Sequence, residues 1–506
     1  MNGAIVNLIH RSGRGCLRIV LTVVGGLVVT GSVQSVELTL EDALMRAVNR
    51  TSRGSIIEGR RQVAEQNYRA RRTNFYFPEI SINGALPAYN EDQSYRFFGG
   101  FDQKQLIATT DLGFRSFIEA KQSLITGGDL TITANLTAND EKYPTQRFFP
   151  ITDSTGVTRL VDVTENSRQG FFEFSLNQPI LKPSDAKHDL HNKHDDLKLA
   201  ELKKVEDEAA LRQQVIEAYM GVVRLSLAEK LAQDKLRSAQ LKAEIDSAKF
   251  SDGIISEEEY LASRSAYLDA ELARFEAETD AGEQRRQLAM LLDIDPDEEL
   301  ITEAPDLNEE FDERTGQAYI DNWEYSLTIQ RAKFQFAKAE RQANYTASSH
   351  GLNGDLAVNY SFGRGTIETD GAPDNDINTN SWGVSLNFSY PIWDGGASSS
   401  SVQAARLEAE QSRLEYVAAE KSAKAEVINI VNRLNVSFRR LGIVRQQIQL
   451  AENRLNIASS RKDDGQISEL TFLESRISYL EARDKFFEEL KQFLLSKSEL
   501  QGMFIG

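Results

Sequence analysis

One cysteine and ten prolines in 506 residues set the first limits on this chain. A lone thiol, Cys16, forms no bridge within the chain, so a disulfide scaffold is excluded. A surplus of basic charge is missing too: Asp and Glu number 76 against 58 Lys and Arg, for a formal charge of −18. Phosphate backbones need basic patches, so nucleic acid is not an expected partner. Beyond the N-terminal region no apolar run reaches the length of a transmembrane helix. Signatures of enzyme chemistry are lacking: there is no GxSxG, no HExxH and no phosphate loop. No catalytic residue and no cofactor is therefore expected.

What is present begins with an address. His10, Arg11, Arg14 and Arg18 precede an apolar stretch from Ile19 to Thr30, and small residues follow in GSVQS. That layout is a secretory signal peptide over residues 1–35, with Val33 and Ser35 at the small cleavage positions. Its removal takes away three arginines and no acid, moving the formal charge from −18 to −21 and leaving no cysteine. The exported chain then either is soluble or meets a membrane through strands.

Two textures alternate along the rest. Helical periodicity runs over 40–76 and stops before Pro78; strand-like alternation covers 79–178, as in Leu130, Ile132 and Leu136 against Thr131, Thr133 and Thr137. A helix predicted at 184–250 breaks at Ser251-Asp252-Gly253, and another runs to about Asp293, with Pro296 and Pro305 marking a linker. The order then returns: helix 312–347, strand 351–363, acidic loop 367–380, strand 382–390, helix 397–462, a break at 463–465, helix 468–502. Asp252-Gly253-Ile254-Ile255-Ser256-Glu257 reappears 212 residues on as Asp464-Gly465-Gln466-Ile467-Ser468-Glu469. The same offset sets Leu261 on Leu473, Tyr267-Leu268 on Tyr479-Leu480 and Pro179-Ile180 on Pro391-Ile392. One register held from strand end to helix turn predicts an internal duplication, 36–300 and 301–506.

Helices 184–250 and 397–462 are each ~100 Å long, the other four about half that. Two short helices end to end match one long one, so the expected fold is mainly α with β: continuous and segmented columns paired as antiparallel coiled coils. Apolar seams such as Leu202, Val205, Leu414 and Val417 hold them. The few strands per chain close no barrel alone, and open edges are a liability. Several identical chains closing a transmembrane barrel, or a soluble sandwich, both satisfy the alternation.

The pattern resembles the TolC-like outer-membrane efflux protein family. The resemblance rests on LTLEDALMRAV at 38–48, AEQNYRARRTNFYFPEISING at 64–84, FSLNQPIL at 174–181 and VIEAYMGVV at 215–223. It rests also on the turns at Gly253 and Gly465 and on SYPIWDGG at 389–396. It implies a homotrimer, each chain giving four strands to a barrel of twelve, with a helical tunnel across the periplasm. Implied partners are a periplasmic adaptor (membrane fusion) protein, an inner-membrane transporter and outer-membrane lipid, in drug efflux or type I secretion. A soluble periplasmic adaptor with long helical hairpins is the alternative. The chain departs from the pattern in its longer region 79–178, where 104–140 reads as an extra hairpin or a lengthened loop, and in having His350 near an expected proline.

The resemblance makes the helix turns a periplasmic gate: Asp252, Gly253, Glu257 and Glu259 in one half, Asp464, Gly465, Glu469 and Glu474 in the other. Its first-half carboxylate six residues past the glycine is Glu259, the second-half equivalent is Thr471, and Ile467 stands where a basic residue is expected. Copies of Glu257, Glu258 or Glu259 around a narrow mouth favour cations; alternatively these acids serve the helix N-termini capped by Ser256 and Ser468. Pro179, Pro391, Gly395 and Gly396 are expected at strand-to-helix junctions, and Trp382, Tyr390 and Trp393 at a membrane interface or in ordinary strand packing. His188, His191 and His194 share a helix face at metal-binding spacing, or simply open an exposed helix.

Overall fold

The structure is a computed structural model and describes residues 36–96, 105–150, 156–295, 298, 300–305, 313–371 and 373–504. The expected leader at 1–35, with Cys16, and the linker residue Pro296 lie outside the described residues. Strand β1 (Val36–Leu38) leads to helices α1 (Leu40–Asn49) and α2 (Ser52–Tyr76). Four strands follow, β2 (Glu79–Arg96), β3 (Gln105–Ser123), β4 (Asp129–Pro150) and β5 (Gly156–Pro179), then α3 (Asp185–Ser251) and α4 (Glu257–Leu291). Beyond β6 (Leu300–Thr302) come α5 (Glu313–Asp321), a 3₁₀ turn at Trp323–Tyr325, α6 (Leu327–Ser349), β7 (Asn353–Thr369), β8 (Asn375–Ser389), α7 (Ala397–Asp463) and α8 (Glu469–Gly502).

Helices α3 and α7 have 67 residues each, which at 1.5 Å per residue makes columns of ~100 Å. Alongside α3 lie α2 and then α4; alongside α7 lie α6 and then α8. Short helices thus share each long one, as the length arithmetic requires. The helix expected over 40–76 is in fact two. Thr51 caps α2 through Gly54 N–H, and Ser52 N–H and Oγ donate to the Asp293 carboxylate at 2.6 and 2.7 Å. A bond to the far end of α4 holds the break open, which no local periodicity reveals. The helix expected at 312–347 is likewise split by the 3₁₀ turn.

At mid-height the short elements meet the long columns and join a common hydrophobic core. β1 and β6 pair in parallel, joining the start of one half to the start of the other. Tyr219, fully buried in mid-α3, has its hydroxyl 2.8 Å from the Leu38 carbonyl and 2.6 Å from that of Glu303, clamping both strands to the column. Met220, Leu288, Phe486, Leu490 and Phe493 belong to the same buried apolar core. Of the expected seam residues, Leu202 is buried, whereas Leu414 is exposed.

The second sheet corrects the strand count. It has six antiparallel strands in the order β2-β3-β4-β5-β7-β8, not four. Residues 104–140, read as a hairpin or a loop, supply the added pair β3 and β4. The stretch expected as an acidic loop at 367–380 is mostly strand, with β7 and β8 paired as far as Ile367↔Asn375.

Candidate functional site

Registers across the six strands sort the sheet into two faces. One row reads Ile80–Ala120–Ile132–Phe174–Tyr360–Trp382, every position apolar or aromatic. The row one residue away reads Ser81–Glu119–Thr133–Glu173–Ser361–Ser381, every position polar. Single-residue alternation puts the two rows on opposite faces. The apolar face is bare: Ile82 is 74% exposed and Trp382 78%. On β4 it spans Leu130 to Ala138, a band of ~23 Å at ordinary rise and tilt. Beyond it the same face turns charged, where Asp140 meets Arg168 at 2.6 Å. A contiguous apolar band of this size marks a surface made for lipid or protein.

The strand-to-helix junctions show how the chain leaves the sheet. Pro179 ends β5, and Ser184 caps α3 by accepting from Lys187 N–H at 3.1 Å. In the second half Pro391 follows β8, and Gly395 and Gly396 both take positive φ, 70° and 88°. Asp394, which sequence reasoning passed over, caps α7 in place of a serine. Its carboxylate accepts from Gly396 N–H at 2.9 Å and Ser398 N–H at 2.8 Å. Hydrogen bonds from Ser398 and Gly396 hold its carboxyl below the usual range. An acid placed just before Gly-Gly and a serine run was the available signal. Tyr390 and Trp393 stand exposed at this helix end of the apolar band, with Trp382 at the other.

The helix turns carry most of the predicted gate residues. Gly253 and Gly465 have φ of 69° and 70°, the left-handed turn expected of each. Asp252, Glu257, Asp464, Glu469 and Glu474 are solvent-exposed there. Two of the acids are engaged locally. Glu259 forms a capping box, its Oε2 accepting from Ser256 N–H at 3.0 Å while Ser256 Oγ receives Glu259 N–H. Glu469 pairs with Lys462 at 2.5 Å across its own turn. Thr471 replaces the second capping acid, its N–H donating to Ser468 Oγ at 3.2 Å. Further up, Asp234 of α3 pairs with Arg476 of α8 at 2.8 Å, and Arg224 of α3 meets Asp484 at 3.0 Å. These ties between the two halves have no local motif and were not foreseen.

The three histidines are engaged separately. His188 stacks on Tyr345 with centroids 3.9 Å apart, its Nε2 being 2.9 Å from Gln342 Oε1. His194 meets Tyr68 edge-on at 5.5 Å. Burial and the neighbouring Arg341 and Lys187 push His191 below its usual pKa. Among the described residues no cluster of three or more His, Cys, Asp and Glu has the arrangement of a metal site. The group instead helps join α2, α3 and α6 beneath the sheet, with Arg71–Asp189 at 2.7 Å and Lys338–Asp196 at 2.6 Å.

Among the described residues the sheet edges have no strand partner, and each flank carries exposed apolar residues on its helices. The sheet ends in β2 on one side and β8 on the other. The upper columns run α2-α3-α6-α7 and the lower ones α4-α3-α8-α7. One flank is therefore β2, α2 and α4; the other is β8 and α7, against which α5 and the 3₁₀ turn also pack. Along α7, Val436, Ile443, Leu450 and Ile457 are exposed at strict seven-residue spacing. Leu261, Leu268 and Phe275 repeat the spacing on α4. Such stripes are coiled-coil seams without a partner.

Residues 324–503 match the family model described as outer membrane efflux protein. No curated protein matches the chain by sequence. Solved structures share the fold at low identity. The CmeC outer membrane channel of Campylobacter jejuni aligns with a TM-score of 0.59 and 13% identity over 92% of this chain and 85% of that one. VceC, an outer membrane protein of Vibrio cholerae, gives 0.56 and 13% over 92% and 96%. The open state of the MtrE outer membrane channel of Neisseria gonorrhoeae gives 0.54 and 13% over 92% and 88%.

Proposed function

We propose that this chain, with the fold of TolC-like outer-membrane channels and the efflux family's sequence pattern in its second half, is the subunit of a homotrimeric conduit from periplasm to exterior. The observation that carries the reading is the bare apolar band, which crosses all six strands at the Ile80-to-Trp382 row and gives way to polar and charged residues at Arg168 and Asp140 on β5 and β4 and at Arg364 and Asn380 on β7 and β8. In water that band is costly, and in lipid it is the expected outer face of a barrel, with Ser81, Glu119, Thr133 and Glu173 facing the lumen. No described helix is long and apolar enough to cross a membrane. Trp382 at one end of the band and Tyr390 and Trp393 at the other fit the two interfacial girdles.

Assembly supplies what one chain lacks. A strand edge cannot face lipid unpaired, and β8 of one copy offers its edge to β2 of the next. Antiparallel alignment of the same neighbours sets Ile457 beside Leu261, Leu450 beside Leu268 and Ile443 beside Phe275. The contact is head to tail and closes as a ring. Below the membrane the columns form a tunnel narrowing at the turns around Gly253 and Gly465, which part when a periplasmic adaptor and an inner-membrane transporter dock. Energy for efflux or type I secretion comes from that transporter. The matched lengths of α3 and α7, and of α4 and α8 at 35 and 34 residues, support reading 36–300 and 301–506 as a duplication.

Fractionation of expressing cells, followed by an oligomer-resolving gel, tests the proposal. Recovery in outer membranes as a threefold oligomer is expected. Recovery as a soluble monomer sinks the channel and favours the adaptor alternative.

A further inference from the structure

We infer that the barrel wall has six strands per copy, so that three copies close eighteen strands rather than the twelve implied by the family resemblance. The inference rests on the trimeric conduit reading and sharpens it at the sheet. Its ground is the added hairpin, β3 and β4. If that hairpin were a plug or an external flap, nothing would require its two faces to continue those of its neighbours. Instead Ala120 and Ile132 extend the apolar row between Ile80 and Phe174, and Glu119 and Thr133 extend the polar row between Ser81 and Glu173. Both strands are paired on both sides, so only β2 and β8 keep a free edge.

Strand direction and side-chain parity then fix the closure. β2 leaves α2 and runs away from the helices, while β8 runs back toward α7, so their pairing between copies is antiparallel, like every other pair in the sheet. Continuity of the apolar face demands even-numbered residues of β8 beside Ile80 and Ile82, because a one-residue slip turns one copy's face over. With the helix-side ends level, Ser389 falls beside Glu79, Phe388 beside Ile80 and Leu386 beside Ile82. At ordinary strand spacing and tilt, eighteen strands enclose a backbone diameter of about 36 Å, against about 24 Å for twelve. An interior that size is a water-filled channel of porin class. Selection by size therefore falls to the helix turns at the far end and not to the barrel.

Cross-linking tests the wall directly, since Cys16 is the only native cysteine and lies in the expected leader. Ser81→Cys with Asn387→Cys should form intermolecular disulfides in isolated outer membranes, giving covalent dimers and trimers on a non-reducing gel. Ile82→Cys with Asn387→Cys, on opposite faces, should give none. Thr131→Cys with Asn387→Cys reports the alternative: a disulfide there means β8 closes on β4 and the β2–β3 hairpin lies outside a twelve-stranded wall. Images of the purified oligomer supply a second arm, where a threefold particle with a wall near 24 Å overturns the inference even if no pair links. Absence of any membrane oligomer is a different result, which removes the conduit reading itself.

Discussion

Asp234 is 6% exposed, and the Arg476 guanidinium 2.8 Å away is its balancing charge. Burial pushes its carboxyl above the usual range, with Arg476 pulling the other way. Removing the arginine leaves a buried charge unsatisfied, a loss of ~1–2 kcal/mol once the half-exposed arginine is discounted for solvent. The pH dependence has a definite sign. With Arg476→Ala the folded-state pKa of Asp234 climbs further above its unfolded value, so the folded chain takes up a proton before the unfolded one does. The deficit is therefore largest at neutral pH and shrinks as pH falls through the raised value toward 3.8. Thermal melts of wild type and Arg476→Ala at pH 7 and pH 4.5 check this, and an equal gap at both refutes it. Glu259 teaches the complementary lesson. The sequence offered both a gate role and a capping role, and the box with Ser256 occupies its carboxylate in the second.

Among the elements, helices and turns were readable and strand ends were not, for a physical reason. Helix signals are local: Ser256 and Ser468 before the helix, glycine at the turn, a periodic apolar seam between. The strands were readable only where one face is apolar. Over 363–369 and 375–381 both faces are largely polar, so alternation vanishes although the backbone ladder continues. The hairpin β3–β4 stayed ambiguous because pairing partners distant in sequence decide it. At the β8-to-α7 junction the sequence reading was sharper, since two adjacent glycines after a proline announced the swing from strand into helix column. A Cβ on Gly396 meets open space, so its replacement is opposed by backbone conformation alone. A residue forced into the left-handed region there costs about 1–2 kcal/mol. Gly396→Val should accordingly lower the yield of assembled oligomer, whereas Gly396→Asn, which tolerates that conformation, should be close to wild type on the same gel. Equal yields of the two would show that φ at this position does not govern the junction.

At the scale of the whole molecule, helix lengths and the 212-residue repeat suggested columns from sequence alone, but not which apolar positions face inward. Leu202 and Leu414 looked alike as seam residues; one is buried and the other lies bare on the α7 flank. That difference carries the assembly argument, because a single chain leaves its interfaces exposed. Leu450 is 62% exposed and lies midway along the lower α7 stripe. It makes little of the isolated chain's core, so Leu450→Asp should leave the helical content intact. In the proposed ring the same residue is placed against Leu268 of the neighbouring copy, where an unpaired carboxylate is strongly disfavoured. Size-exclusion chromatography in detergent should then show loss of the trimer while circular dichroism stays that of wild type. Adding Leu268→Lys places an opposite charge at the proposed contact and should restore part of the oligomer, whereas Leu268→Asp should not. A trimer unchanged by Leu450→Asp would mean that the α7 and α4 stripes do not meet, and that copies join through the strand edges alone.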